Sequence, residues 1–276
     1  MEIFTGKMVE DIKDRIIIPA LKMDYQEAIR NLPGLVDELH TNIPEQKRIS
    51  YGLFYVVKEL SVYLHNRFTD AKAPVFEITA DLYDLSDNLK TKSVAIGIIS
   101  IYGLNEHRNT LPYFEKAAAS ADWVLREMAQ AFFRKLIKRY PGETKEFLLK
   151  LVVSEDPNLR RFVAETLRPA QENRWFYKNT EYPLSILRYL FKESAPYPRT
   201  AVGNNLSDLS RQNPELIFEL VAELAGNGDK NSYWIAYRAC RNLVKKEPLR
   251  VMDLLKVNEY KYKDRDFRRT GHDEIY

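Results

Sequence analysis

The sequence predicts an all-α fold, a right-handed α–α superhelix, or solenoid, of helical repeats. Three observations predict it. Apolar residues recur at three- and four-residue spacing in segment after segment, with little strict apolar–polar alternation. Only ten glycines interrupt the chain. Four segments of the second half also match one another without gaps, the mark of a repeat architecture.

Clear helical runs cover residues 51–64, 75–85, 123–137, 144–153 and 214–224. Breaks are expected at Pro33-Gly34, 42–44, Pro141-Gly142, Asp156-Pro157, 196–198 and 226–228. Pro157 and Pro214 follow Asp156 and Asn213, the place of a proline in the first helical turn. The matching segments are 124–133, 158–167, 197–206 and 234–243, offset by 34, 39 and 37 residues. That spacing suits a two-helix, HEAT-like repeat. The first three share an arginine, at Arg126, Arg160 and Arg199; all four share a small apolar residue at Ala129, Val163, Val202 and Ala239. One repeat domain is expected over residues 1–256, with capping repeats to about 110 and a more regular core over 111–255. Residues 257–276, with Lys261, Lys263, Arg265, Arg268 and Arg269, read as a basic, flexible tail.

The bulk numbers bound the possibilities. In 276 residues, 45% hydrophobic and 29% charged, there is enough apolar side chain to bury a sizeable core. A net charge of +3 does not by itself demand a nucleic-acid partner. A single cysteine, Cys240, can form neither an internal disulfide nor a zinc site, so a cytoplasmic protein is expected. Charges at Glu2, Lys7, Glu10, Asp11 and Lys13 argue against a signal peptide, and no apolar stretch reaches the length of a bilayer. His40, His65, His107 and His272 are scattered without metal-ligand spacing, and neither a phosphate-binding glycine loop nor a nucleophile elbow is present. No metal and no cofactor are expected.

The shared core positions decide which side chains are left facing a groove. With Val124, Leu125, Met128 and Phe132 inside, Trp123 and Glu127 lie four apart on one face. With Leu159, Phe162, Val163 and Leu167 inside, Arg161, Glu165 and Arg168 are left over. The third segment leaves Asn204, Asn205 and Asp208 after Gly203; the fourth leaves Arg238, Arg241, Lys245 and Lys246. Carboxylates and an indole inside a basic surround are not the pattern of a plain phosphate-binding stripe. Bland readings stand beside this one. Arg126, Arg160 and Arg199 suit pairing with acidic residues of the next repeat, Trp123 suits packing, and Glu165 suits pairing with Arg161 or Arg168 on its own helix. Two adjacent amides, Asn204 and Asn205, are poor helix formers and need partners.

The stretch 156–169 (Asp-Pro-Asn-Leu-Arg-Arg-Phe-Val-Ala-Glu-Thr-Leu-Arg-Pro), Trp175, the stretch 202–209 (Val-Gly-Asn-Asn-Leu-Ser-Asp-Leu), the stretch 213–217 and the closing 235–246 resemble the bacterial DNA alkylation repair glycosylases of the AlkC and AlkD type, and the AlkC branch more closely. The likeness covers roughly residues 123–255. It implies a HEAT-like solenoid that holds duplex DNA and excises positively charged N-alkylated bases such as 3-methyladenine. Carried over by position, it makes Glu127 the catalytic carboxylate, with Glu165 and Asp208 as further acidic site residues and Trp175 as the lesion-facing tryptophan. The substrate-binding set implied is Trp123, Trp175, Arg161, Asn204 and Asn205. The backbone-binding set is Arg168, Arg199, Arg238, Arg241, Lys245 and Lys246. Three departures stand out: a longer linker at 170–174, Arg238 where the family carries a histidine, and an expectation of no immunoglobulin-like C-terminal domain. The implied protein is a monomer with double-stranded DNA carrying alkylated bases as its partner, no membrane, and residence on the nucleoid when bound. A non-catalytic module for damaged or branched DNA and a protein-binding scaffold are the competing readings, because a shared fold does not settle function.

The chemistry fits these residues without the resemblance. A cationic alkylated base is already a good leaving group, so a carboxylate need only stabilise charge growing on the sugar and orient water. Indoles contribute cation–π contacts. A basic surround supplies salt-dependent affinity for the backbone.

Overall fold

A computed structural model describes residues 3–49 and 51–269. The chain is all-α apart from one short hairpin among those residues, and it divides into two compact units, 1–139 and 140–276.

The first unit opens with α1 (Gly6–Ile12) and α2 (Ile18–Leu21), joined through a wider helical turn at Lys13–Ile17. α3 (Tyr25–Thr41) runs straight through Pro33-Gly34, where a break is expected. Pro33 costs a helix interior about 3 kcal/mol. Leu32, Leu35, Val36 and Leu39, each fully buried, contribute roughly 1.5–3 kcal/mol apiece and outweigh it. α4 (Leu53–Asp70), α6 (Leu89–Tyr102) and α8 (Trp123–Arg139) then lie side by side, with α5 (Val75–Asp84) and α7 (Leu111–Ala118) packed behind. The close approach of α4 to α6 depends on Gly97, where an added Cβ would sit 2.2 Å from Ser61 Oγ. Ser61 Oγ donates to Val94 O at 3.0 Å across that contact.

In the second unit α10 (Pro157–Thr166), α12 (Pro196–Leu209) and α14 (Lys230–Ala239) form a second row. These are the helices of three of the four matching segments, so the repeat read from the sequence is a row of neighbours in space. Behind them lie α9 (Pro141–Leu151), α11 (Glu181–Leu187), α13 (Pro214–Gly226) and α15 (Pro248–Leu255). Proline occupies the first turn of α10 and α13, as expected, and also of α9, α12 and α15. Aspartates cap the repeat helices: Asp156 accepts from Asn158 N at 2.8 Å, and Asp229 accepts from Asn231 N and Ser232 N. The four shared small apolar residues are all buried, as are Phe133, Leu167, Leu206 and Leu243.

The expected tail is different. Glu259–Tyr262 (β1) and Arg265–Arg268 (β2) pair as an antiparallel hairpin. Tyr260 provides its anchor, 1% exposed and stacked on Tyr237 at 4.3 Å. Burial of this aromatic offsets the cost of ordering an otherwise charged segment. The remainder of the expected tail, 270–276, lies outside the described residues. No helix among the described residues is long and apolar enough to cross a membrane.

Candidate nucleic-acid interface

Two of the shared arginines do the same local work. Arg126 Nη1 donates to Ser120 O and Ala121 O at 2.6 and 2.8 Å. Arg160 Nη1 donates to Ser154 O and Glu155 O at 2.7 and 2.9 Å. Each ties the loop before its helix to the helix itself. Arg160 also donates from Nε to Glu193 Oε2 at 2.6 Å, and Arg199 Nη1 donates to Asn231 Oδ1 at 2.6 Å, so both reach the next repeat.

On the second unit, arginines are handed to aromatic rings of the following element. Arg161 of α10 lies over the ring of Tyr197 at 4.3 Å, and Arg199 of α12 over Trp234 of α14 at 4.7 Å. Arg238 covers Trp234 of its own helix at 5.6 Å, and Arg241, just past α14, covers Tyr262 of β1 at 5.0 Å. A guanidinium on a ring keeps its edge donors available while its face is packed.

Arg168, just past α10, is the hub of the acidic group. Its Nε donates to Asp208 Oδ2 at 2.8 Å and its Nη1 to Glu165 Oε2 at 3.2 Å. Burial works against the charge of Arg168, but the Glu165 and Asp208 carboxylates outweigh it and raise the guanidinium above its ordinary value. Arg161 lies 3.8 Å from Glu165 Oε1, and Arg211 lies 3.5 Å from Asp208 Oδ1. Glu165 is buried and Asp208 half-buried. Asp208 opens into a cavity of about 760 Å³ walled by Arg168, Arg174, Tyr177, Lys178 and Arg211. The arrangement is a carboxylate pair held by arginines at the edge of a basic recess.

Other expected site residues fall in different places. Trp175 joins an aromatic cluster, with ring centroids 4.5 Å from Phe176 and 5.2 Å from Tyr182, and its Nε1 is buried. Tyr177, two residues on, lines the cavity instead, and its hydroxyl donates to Asp208 O at 3.4 Å. The adjacent amides part company. Asn204 accepts from Arg238 Nε at 2.9 Å, whereas Asn205 is fully buried and donates to Ala164 O at 2.9 Å, tying α12 to α10. In place of contacts left free for phosphate, Arg168, Arg199 and Arg238 hold partners within the protein; Lys245 and Lys246 are exposed. In the first unit, Trp123 stands 64% exposed at the start of α8, and the Gln130 carboxamide donates to Glu127 one turn further on. No group of histidine, cysteine and carboxylate residues among those described could hold a metal ion.

A family model for the DNA alkylation repair enzyme matches residues 56–243, more than half of the chain. The chain belongs to that family. The match begins well before residue 123, where the sequence resemblance starts, and so takes in α4 to α7 as well. Among solved structures, this family member is similar to the Pseudomonas fluorescens alkylpurine DNA glycosylase AlkC bound to DNA containing an abasic site analog: TM-score 0.60, 18% identity, 86% of this chain covered. The chain spans 66% of the length of that protein. It is similar also to AlkD2 from Streptococcus mutans, with TM-score 0.57, 18% identity, and coverage of 76% of this chain and 98% of that one. A third similar structure is smu.31 from Streptococcus mutans UA159, at TM-score 0.53 and 18% identity, covering 67% of this chain and 98% of that one. No curated protein matches by sequence. These likenesses establish the helical-repeat fold of the family.

Sequence reasoning missed Tyr177, Arg174, Lys178 and Arg211 at the cavity, and Tyr197, Trp234 and Tyr262 under the arginines. Arg174, Tyr177 and Lys178 sit in and just after a short 3₁₀ segment, Gln171–Tyr177, where no helical period marks a face. Tyr197 and Trp234 carried a signal: each follows the start of a repeat helix by one to four residues, at the side facing the preceding repeat's arginine.

Proposed function

We propose that this chain is a DNA glycosylase that excises positively charged N-alkylated bases, such as 3-methyladenine, from duplex DNA. The observation that carries the reading is the pairing of Glu165 and Asp208 on Arg168 at the edge of a basic cavity. Family membership and the likeness to an alkylpurine DNA glycosylase bound to DNA support it.

The mechanism follows from charge. As the glycosidic bond breaks, its electron pair neutralises the cationic base, which leaves as a neutral molecule, and the positive charge passes to the deoxyribose. A fixed carboxylate beside the sugar lowers that barrier more than it stabilises the ground state. Asp208 Oδ2 is held by Arg168, which orients the group, while Oδ1 is contacted only by Arg211 at 3.5 Å among the ion pairs it forms. Oδ1 therefore accepts a hydrogen bond from the attacking water, directs its oxygen at the anomeric carbon and takes the proton that water loses, and Arg211, 63% exposed, is placed to turn toward a backbone phosphate. Tyr177 offers a ring face to a cationic base beside Asp208; the resemblance makes Glu127 a further catalytic carboxylate, which the variant below tests by itself.

The test is release of 3-methyladenine from methylated duplex DNA by the pure protein, compared with Glu127→Gln and Asp208→Asn. Each variant is expected to lose roughly 10²-fold in single-turnover rate, while Asp208→Asn binds DNA at least as tightly as before, since a carboxylate repels phosphate. No release at near-stoichiometric enzyme overturns the reading. The engagement of Glu165 and Asp208 by arginines favours one alternative, a non-catalytic DNA-binding module; it requires steeply salt-dependent binding that survives Glu127→Gln without any base release.

A further inference from the structure

The C-terminal hairpin is fastened to α14 in a way that presents its charged tip. Tyr260 Oη donates to Tyr237 O at 2.8 Å, Lys261 N donates to Tyr237 Oη at 2.9 Å, and Arg241 Nη1 donates to Tyr262 Oη at 3.2 Å. Lys263, at the turn, takes a left-handed φ of 55°, a conformation that costs a residue with a Cβ and fixes the direction in which the tip points. A cavity of about 320 Å³ lies between this tip and the turn that follows α14, walled by Arg211, Arg241, Lys245, Tyr262, Lys263 and Arg265, with Asp264 as its one carboxylate. Among the described residues Arg241, Lys245, Lys263 and Arg265 enter no ion pair. Arg241 Nε is buried without a hydrogen-bond partner.

The recess does not stand alone. Arg241, Tyr262 and Lys263 also wall a neighbouring cavity of about 550 Å³. Arg211 is shared with the cavity that receives Asp208. Three basic recesses thus share walls within the second unit, an arrangement that suits a chain of anions better than one small anion. Burial and the nearby Arg241 guanidinium lower Arg238 below the ordinary arginine value, as expected where cations crowd without an anion between them.

We propose that the hairpin tip, with Arg241 and Lys245, is a phosphodiester clamp for the DNA backbone, set beside the Asp208 cavity and separate from it. The proposal rests on the reading of the chain as a protein that works on DNA. Tyr262, stacked under Arg241, keeps that guanidinium pointing into the recess, and Lys263 and Arg265 close on the phosphates from the opposite wall.

The test uses the full chain carrying Lys263→Asn with Arg265→Gln, the asparagine being chosen because it tolerates the left-handed turn. Both positions are exposed, and thermal melting followed by circular dichroism confirms that the variant is folded. Titration with undamaged duplex DNA at several salt concentrations is expected to show about tenfold weaker binding near 0.1 M salt and a log–log salt slope shallower by about two. Lys245→Ala, on the other wall, is expected to lower the slope by about one. Unchanged affinity and slope in the double variant overturn the clamp. So does competition by inorganic phosphate or a deoxynucleoside monophosphate as effective, per phosphate, as that by duplex DNA, which would mark a small-anion site. A wild-type protein that releases no base but shows the slope change retains the clamp and loses the glycosylase, so the two failures are distinguishable.

Discussion

Arg168 Nε donates to Asp208 Oδ2 at 2.8 Å across forty positions of sequence, and Asp208 keeps only 13% of its side chain exposed. The same guanidinium serves Glu165, 7% exposed. One cation therefore balances two carboxylates drawn out of water. Removing that cation strips both of their shortest contact and leaves the longer ones, Arg161 at 3.8 Å from Glu165 and Arg211 at 3.5 Å from Asp208, a costly way to break such a group. Arg168→Met is expected to destabilise the protein by about 2–3 kcal/mol. Adding Asp208→Asn recovers part of that loss, giving a coupling outside simple additivity. Urea unfolding of both singles and the double variant measures it. A cost for Arg168→Met below about 0.5 kcal/mol would place the pair with ordinary surface ion pairs.

Gly203 governs a second contact between repeats. A Cβ added there would stand 2.8 Å from Arg238 Cβ and 3.0 Å from Arg238 Cγ, the stiff base of the side chain and not its mobile end. Alanine gains up to about 1 kcal/mol of helix propensity over glycine, whereas overpacking costs about 1–3 kcal/mol. The clash wins because α12 and α14 cannot separate without disturbing the Asn242 Nδ2 donation to Ser207 O at 2.7 Å. Gly203→Ala is expected to lower Tm by a few degrees and to weaken DNA binding, since Arg238 loses its seat on Asn204. A variant with wild-type Tm and affinity would show that the helices slide freely.

Trp175 and Tyr177 separate a packing role from a binding role. Trp175 is wedged against Phe176 and Tyr182, so Trp175→Leu is expected to cost about 2–3 kcal/mol of stability. Tyr177 lines the cavity beside Asp208, so Tyr177→Ala is expected to leave Tm within a few degrees of wild type while raising the protein concentration needed for half-maximal base release severalfold. Melting curves and release assays on both variants check this. The reverse pattern, a stable Trp175→Leu protein with impaired release, would restore the tryptophan as the ring that meets the lesion.

The helices and their repeat were legible because burial stamps a 3.6-residue period on each segment. Ala129, Val163, Val202 and Ala239 could be aligned from the sequence, and all are buried. The Arg160–Glu193 pair was legible as one of two open readings, as repeats present equivalent side chains to equivalent neighbours. What lies between repeats was not legible. Asn204 and Asn205 look alike in sequence, yet one faces Arg238 and the other Ala164, choices made by residues more than thirty positions away. Pro33 reads as a break, and only the buried stripe of Leu32, Leu35, Val36 and Leu39 overrides it. The hairpin was hidden for the opposite reason. Its strands are mostly charged, and a single buried ring, Tyr260, carries its apolar anchor.

Glu193 makes stability depend on pH in a direction its surroundings fix. Burial opposes its ionisation, but hydrogen bonds from Arg160 and from the backbone N–H groups of Ala195 and Ser194 outweigh burial and lower it from the ordinary 4.5. A carboxyl group with a lower value folded than unfolded binds fewer protons in the native state, so it stabilises the fold above its unfolded value. That contribution is fully present above about pH 4.5 and is lost as the pH falls through the folded value. Glu193→Gln keeps the shape and removes the charge. It is expected to cost about 2 kcal/mol at pH 7, the scale of a lost charge-assisted hydrogen bond, with the gap to wild type narrowing steadily below pH 4.5 as Glu193 itself protonates. Thermal melts of the two proteins at a series of pH values give the comparison. A gap that stays constant into acid would mean that Glu193 contributes through its shape and its neutral hydrogen bonds, with its charge and the Arg160 guanidinium adding nothing.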